Sequence, residues 1–519
     1  MLGQRGRGHT YGQAHTAVHR QIDCPQRTTT MFSLLLAGVL ALLLALVILS
    51  SWKKKQHLPP GPTPWPLLGN MHQIDKSAPY ETLMELGQKY GDVFTIYLGP
   101  HPAVVLFGYN ALKDALLGQA DDFSGRAILP VFERIANRKG LVFSNGDHWQ
   151  QQRRFSLATL RNFGMGKRSI EERVTEEARF LVEFFESKKG KSFNPGERIS
   201  AAVSNIICSI LFGDRFDTED ETFLTLLRMV NENISFLGKR GFQMYNTFPG
   251  ILKWLPGEHN KIFENARRLQ SHLRGLIENH IASRDPNCPR DFVDTFLNKM
   301  DEEANNPNSH FTLESLTYTA FNLFIAGTET TSSTIRWAVK LALKYPEMQE
   351  NIQKEIDDVL GSQRCPTMED RLQMPFTDAF INEVQRFASI IPNGLPHAAL
   401  HDIKFKGYII PKGTQVITFL HSSLTDKRYW DDPKLFNPYR FLDENGKIKK
   451  NDAHIPFGAG KRSCIGESLA RMNIFILFVS VLQKFSLKVP DGESSQIELA
   501  GGGTRAPKPF CICAVERIH

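Results

Sequence analysis

The chain has 519 residues, with 62 Lys and Arg against 55 Asp and Glu, for a net charge of +7. That excess is small for the length. It suits a surface near anionic lipid or an acidic protein and is too weak to argue for nucleic acid. Seven cysteines, far apart and odd in number, speak against a disulfide framework and for a reducing compartment. Neither zinc-type Cys/His spacing nor sustained basic–aromatic interleaving is present.

Residues 1–30 are polar, without apolar periodicity, and read as a disordered N-terminal extension. Met31 directly precedes an apolar run, which leaves open an upstream start with residues 1–30 absent from the working protein. Phe32 to Trp52 carries no charge and is long enough to cross a bilayer. It is too long for the core of a cleaved signal peptide, and no small-residue cleavage site follows. Lys53, Lys54 and Lys55 favour leaving the C-terminal side in the cytosol, against which Arg20 and Arg27 work unless the protein starts at Met31. The prolines of Leu58 to Pro66 exclude helix and central strand and make a stiff spacer. The expected division is an extension at 1–30, a transmembrane anchor at 31–52, a basic and Pro-rich linker at 53–70, and one globular body at 71–519.

Within that body a short helix is predicted over Tyr80 to Tyr90. Strands follow at Val93 to Leu98 and Ala103 to Phe107, around the turn Leu98-Gly-Pro-His-Pro102. From Ala111 to about Gly361 the periodicity is mostly helical. Trp149 and Arg153 stand at i and i+4, so a helix puts two hydrogen-bond donors on one face.

A long helix from Thr312 to Lys344 carries Leu316, Ala320, Leu323, Phe324 and Gly327 on one stripe. A mid-helix Gly327 costs roughly 1 kcal/mol relative to Ala. Room for a small ligand against the backbone, or a close helix crossing, compensates for it. Glu329 and Thr330 then set an acid and a hydroxyl beside that position.

Glu383 and Arg386, one helical turn apart, by themselves mean no more than a surface ion pair. Weak strands are predicted at Ile403 to Ile409 and Gln415 to Phe419, and a buried apolar helix from Ser468 to Leu482. Cys511 and Cys513 are predicted to share the buried face of a terminal strand. The fold class is mainly α with small β-sheets.

The stretch Phe457-Gly-Ala-Gly-Lys-Arg-Ser-Cys-Ile-Gly466 organises the rest. A thiolate that ligates a metal needs deprotonation, close backbone approach and shelter. Lys461 and Arg462 favour the anionic sulfur, the glycines let the chain bend near a flat partner, and the helix that follows aims its N-terminus at the sulfur. A phosphate loop is excluded because Ile455 stands where its first Gly should be and Arg462 follows Lys461. A dinucleotide fingerprint is excluded by Ser463 in place of a third Gly.

The pattern Phe457, Gly460, Arg462, Cys464, Gly466 resembles the haem-binding signature of the cytochromes P-450. A chance match on all five is expected in about one sequence in ten thousand of this length. The resemblance runs from about Leu58 to the C-terminus and is closest to microsomal family 2 members.

It implies a P-450 fold with an N-terminal membrane anchor, haem b (iron protoporphyrin IX) as cofactor, and Cys464 as the iron ligand. Trp149, Arg153, Arg126, His397 and Arg462 are then expected at the haem propionates, and Phe457 and Gly466 beside the haem. Glu383, Arg386 and Arg440 of Pro438-Tyr-Arg-Phe441 would form a buried structural triad. Tyr439 departs from the acidic residue usual before that Arg, which puts local surface pairing in question. Thr330 and Glu329 would steer protons to iron-bound dioxygen.

The implied activity is a haem-thiolate monooxygenase. Apolar segments at Ile128 to Phe132, Phe321 to Ile325, Ile391 to Leu395 and Gly501 to Thr504 would face a lipophilic xenobiotic, fatty acid or steroid. No nicotinamide or flavin site is recognisable, so electrons are expected from a membrane-bound NADPH-dependent flavoprotein reductase. It would dock on a basic patch that includes Arg153, Arg154 and Lys461. Cytochrome b5 and the lipid bilayer complete the expected partners, with the catalytic domain on the cytosolic side of the endoplasmic reticulum membrane. The rivals are a haem-thiolate isomerase or dehydratase and a non-catalytic haem-binding protein; the pair Glu329 and Thr330 argues against both.

Overall fold

The structure, a computed structural model, describes residues 58–75, 78–162 and 168–518, together with Leu34, Leu35, Gly38, Val39 and Leu42. Those five positions are helical, and the apolar side chains among them are exposed. The remainder of the expected extension and anchor, and residues 53–57 of the linker, lie outside the described residues. Among the described residues no helix is long and apolar enough to cross a membrane. The chain divides at His57, and the unit from Leu58 onward carries the fold.

Its sheet is small. β1 (Val93–Leu98), β2 (His101–Leu106), β3 (His397–Ala398) and β4 (Gln415–Thr418) lie in the order β1-β2-β4-β3. β1 and β2 form an antiparallel hairpin with Val93 opposite Leu106. β4 runs parallel to β2, which brings a segment some three hundred residues later against the hairpin. The sequence predicts one strand over Ile403 to Ile409. The structure has a hairpin instead, Ile403–Phe405 against Tyr408–Ile410, because Lys406 and Gly407 both take positive φ (47° and 84°) and reverse the chain.

Seven helices position the site: α1 (Gly146–Asn162), α2 (Gly196–Phe212), α3 (Glu221–Leu237), α4 (Glu258–Ser283), α5 (Leu313–Lys344), α6 (Pro375–Ala388) and α7 (Glu467–Lys484). α5 runs through the middle. Thr312 caps it, its hydroxyl oxygen accepting from the Ser315 N–H at 3.1 Å, and Pro346 starts the next helix. The second half of α5, and α7 from Met472 to Gln483, are buried almost all round. Helices without a polar face belong inside a large core. Here Phe324 and Ile335 of α5, Ile206 and Ile207 of α2 and Phe475 to Phe478 of α7 join one apolar cluster.

A Cβ added to Gly327 would lie 2.6 Å from Ile207 Cδ1. The close helix crossing therefore accounts for that glycine, and the room expected there for a ligand is taken by Ile207. At the C-terminus the strand starts only at Cys513, so Cys511 precedes it; both are half-buried, not buried as predicted. All six described cysteines are free.

Candidate active site

Cys464 sits at the end of a loop fixed by its own backbone. The Cys464 N–H donates to Phe457 O at 3.0 Å, and the Ser463 N–H to Gly460 O at 3.1 Å. Gly460 has φ +71°, and a Cβ there would lie 2.0 Å from Leu116 O, so only glycine allows this approach. α7 begins three residues after the cysteine, capped by Gly466 without a side-chain bond. A Cβ built on Gly466 would meet no atom within 4 Å.

The Cys464 side chain is exposed at its surface, yet burial pushes its thiol pKa up. The Gly466 N–H and Arg153 pull the thiol down, Glu467 pushes it up, and desolvation prevails. The loop by itself therefore disfavours the thiolate, which a bound metal cation would favour.

The two cations expected to favour that thiolate are engaged elsewhere. Lys461 pairs with Asp121. The Arg462 guanidinium lies 3.7 Å over the ring of buried Trp149 and donates to Ser124 O (2.8 Å) and Ser144 O (2.7 Å). The cation that acts on the sulfur is Arg153 of α1, whose Nη2 donates to Ser463 O at 2.7 Å. Phe457 is half-buried under the Arg471 guanidinium, 5.0 Å from its ring.

Arg126, Arg153, His397 and Arg462, remote in sequence, converge around this loop. Arg126 donates to Leu395 O at 3.0 Å, and its buried Nε has no partner. Desolvation, then the charge of Arg153, lowers the Arg126 pKa. Desolvation, then Arg126 and Arg153, lowers that of Arg462. His397, its Nδ1–H donating to Phe123 O at 2.6 Å, is held well below the usual imidazole range by burial and by Arg126 and Arg462. No carboxylate among the described residues pairs with the three guanidiniums; Arg153 depresses Arg126, and Arg126 and Arg153 depress Arg462. Like charges desolvated in this way, one buried and two half-buried, call for an anion. A porphyrin bearing two propionates, its iron at an accessible thiol on the same loop, meets that requirement. No motif points to Asn145, whose Oδ1 accepts from both the Arg126 N–H (2.7 Å) and Arg462 (3.1 Å) and ties the two segments together.

On α5, Ala326 is exposed and Thr330 half-buried, a turn apart on one face, and the Thr330 hydroxyl donates to Ala326 O at 2.7 Å. Glu329 is placed differently. It is buried, and its Oε1 accepts from Ser333 (2.8 Å), Arg336 (3.4 Å) and Thr504 (3.4 Å). The expected acid–alcohol pair is adjacent in sequence but lies on two faces of the helix.

The predicted triad assembles. Glu383 receives Arg386 Nε at 2.7 Å and Nη2 at 2.8 Å, and Arg440 Nε at 3.1 Å. Glu383 and Arg386 are fully buried. Tyr439, which replaces the expected acid, accepts from Asn351 Nδ2 at 3.2 Å and packs on Phe376. Of the apolar segments, Ile128 is exposed, Phe132 stacks on Phe143 at 3.9 Å, and Phe321 and Phe324 are buried. The glycine tip before Thr504 packs on α3: a Cβ on Gly238 would lie 2.1 Å from Gly502 O.

The family model described as Cytochrome P450 matches residues 59–514. The chain belongs to the cytochrome P450 family. Among curated relatives this P450 is 47% identical over 486 residues to Cytochrome P450 2F3 of Capra hircus, covering 92% of this chain and 99% of the relative. It is 49% identical over 483 residues to Cytochrome P450 2C20 of Macaca fascicularis (92% and 99%). It is 45% identical over 488 residues to Cytochrome P450 2B15 of Rattus norvegicus (93% and 98%). As a family 2 P450 it binds haem b through a cysteine thiolate. It is a monooxygenase that incorporates oxygen from O2 into lipophilic substrates, with electrons from a redox-partner reductase. The isomerase, dehydratase and carrier readings are not favoured.

Proposed function

We propose that Cys464 is the iron ligand of this P450, that Arg126, Trp149, Arg153, His397 and Arg462 receive the haem propionates, and that Thr330 and Glu329 handle the protons. Bound haem supplies the redox-active iron, and its thiolate ligand favours O–O cleavage. The observation that carries the reading is the set of guanidiniums around the Cys464 loop, Arg126 buried and Arg153 and Arg462 half-buried, with no carboxylate paired to them among the described residues.

Each residue then has a task. Arg153 holds the loop through Ser463 O and lowers the thiol. The Gly466 N–H lies close enough to the sulfur to stabilise its charged form. Thr330 presents the hydroxyl on the accessible face of α5 and can hand on a proton there.

Residues 31–52 anchor the haem domain of residues 71–519 in the endoplasmic reticulum membrane, with that domain on the cytosolic side. The uncharged run and Lys53 to Lys55 support this orientation. The NADPH-dependent reductase, and cytochrome b5 as a second donor, dock on the cysteine side. Arg154 is exposed there, whereas Arg153 and Lys461 are occupied within the chain. Substrates are lipophilic xenobiotics, fatty acids or steroids.

The test is reconstitution with reductase and NADPH. Wild-type protein consumes oxygen and NADPH, and Thr330→Ala releases more peroxide per oxygen consumed. Wild-type coupling in that variant would remove Thr330 from the proton path.

A further inference from the structure

Two histidines that the haem chemistry does not use stand together at the base of α1. His148 lies in the first turn of that helix, directly before Trp149, and His310 precedes the Thr312 cap of α5. Both are half-buried, and their ring centroids are 5.1 Å apart. Two imidazoles on one tetrahedral Zn2+, each bonded at ~2.0–2.1 Å, have centroids about 5 Å apart. The His148 ring is also prepared as a ligand. The Gly140 carbonyl accepts a hydrogen bond from it, while Nε2 is buried without a partner, so Nδ1 makes that bond and the Nε2 lone pair is free. Metal-bound histidines are commonly held in this way, with the other ring N–H on a backbone carbonyl. Desolvation, then His310 and Lys139, lowers the His148 pKa to about 4. The ring is therefore neutral at cellular pH and binds a metal ion without first losing a proton.

The supports of both rings are fixed. Gly140 has φ +77°, and the Leu141 and Val142 N–H groups both donate to Asn322 Oδ1 at 3.0 Å, which holds the loop that carries the Gly140 carbonyl. His310 O accepts from Gln152 Nε2 at 3.0 Å, one turn after His148 on α1, and Gln152 Oε1 accepts from Thr319 Oγ1 of α5 at 3.3 Å. Phe311, the next residue, packs edge-on against Phe155 of α1 with centroids 5.2 Å apart. Lys139, the cation that acts on His148, is paired with Glu314. We propose that His148 and His310 bind a divalent transition-metal ion of the kind that imidazole pairs suit, Zn2+ before Cu2+ or Ni2+, and that the ion ties the start of α1 to the segment entering α5. Water completes the coordination. Another cluster of ligating type, His280, Asp291 and Asp294, is closed: His280 bonds to Asp291 at 2.8 Å, and Arg290 occupies Asp294 at 2.7 and 3.0 Å.

The experiment uses the full-length, haem-loaded protein, free of any histidine tag and dialysed against chelator. Zn2+ bound per chain is measured by equilibrium dialysis for wild type, His148→Gln, His310→Gln and His280→Gln, with the carbon monoxide spectrum as the control for an intact haem site. His148→Gln and His310→Gln are each expected to retain one Zn2+ less per chain than wild type, and His280→Gln to retain the same number. The affinity lost exceeds the roughly tenfold that removal of an outer-shell partner costs. Zn2+ is expected to raise the unfolding midpoint of wild type and to leave that of the His148 and His310 variants where it was.

Equal Zn2+ binding by wild type and the His148 and His310 variants would overturn the site. So would a loss confined to His280→Gln, or a wild type that binds no Zn2+. Should a histidine variant fail to fold, Lys139→Gln takes its place, because it removes the cation beside the pair without touching either ligand. That variant is expected to bind Zn2+ about threefold more tightly, the size of one exposed charge interaction, and unchanged binding would overturn the site.

Discussion

Glu383 is a carboxylate with no access to water and two guanidiniums to answer. It accepts both arms of Arg386, one from Arg440, and the Asn437 N–H at 2.9 Å. Arg386 in turn donates to Leu424 O and Pro433 O, both at 2.9 Å. Three segments of chain are thus tied through one acid. Glu383→Gln leaves a buried charge uncompensated and is expected to destabilise the domain by about 3–5 kcal/mol. The measurement is the thermal midpoint with retained haem, and an unchanged midpoint would show that the triad holds nothing together.

At this scale the sequence was informative where a residue's partner is near it or where several residues form a pattern. Cys464 and the pair Glu383 and Arg386 are of that kind. It was uninformative about direction. Lys461 beside Cys464 reads as its counter-charge, and the structure turns it to Asp121, 340 residues away in sequence. Glu329 beside Thr330 reads as its partner, and Arg336, Ser333 and Thr504 claim it.

Elements are joined here by polar groups as well as by packing. The end of α4 meets the helix Phe292–Glu302 through His280, whose Nε2 lies 2.8 Å from Asp291 Oδ2, while its Nδ1 lies 2.9 Å from Leu276 O. A carbonyl only accepts and a carboxylate prefers to accept, so these partners favour the ring with both nitrogens protonated. The Asp291 hydrogen bond accordingly raises the His280 pKa against the effect of burial.

A raised folded-state pKa stabilises the protein fully below the unfolded value of about 6.5 and loses that stabilisation as pH rises through the folded value. The difference in unfolding midpoint between wild type and His280→Gln is therefore expected to be largest below about pH 6.5 and to shrink at higher pH. A pH-independent difference would remove the charge from this joint. Element types were largely legible: Val93 to Leu98 and the long helix after Thr312 fall where periodicity put them. The hairpin at Lys406 and Gly407 was not, because alternation continues across a two-residue turn whose only signal is one glycine.

For the molecule as a whole, four basic side chains from residues 126 to 462 converge on one loop, and no spacing rule links them. Arg126 comes from a segment bridged to His397, Arg153 from α1, and Arg462 from the loop before α7. The sheet and α5 fix those segments in place, so the cluster follows from topology. Only the family pattern made it legible beforehand.

Cys464 lies at the centre of that arrangement, its thiol pKa raised by burial and its surface accessible. Such a group becomes an anion when iron binds it. The most direct test is the carbon monoxide difference spectrum of reduced membranes holding the wild-type chain or Cys464→Ala. The wild type is expected to show the strongly red-shifted band that reports thiolate ligation, and Cys464→Ala to lack it. The same band in the alanine variant, or none in a wild-type protein that carries haem, would contradict the assignment of Cys464 as the ligand.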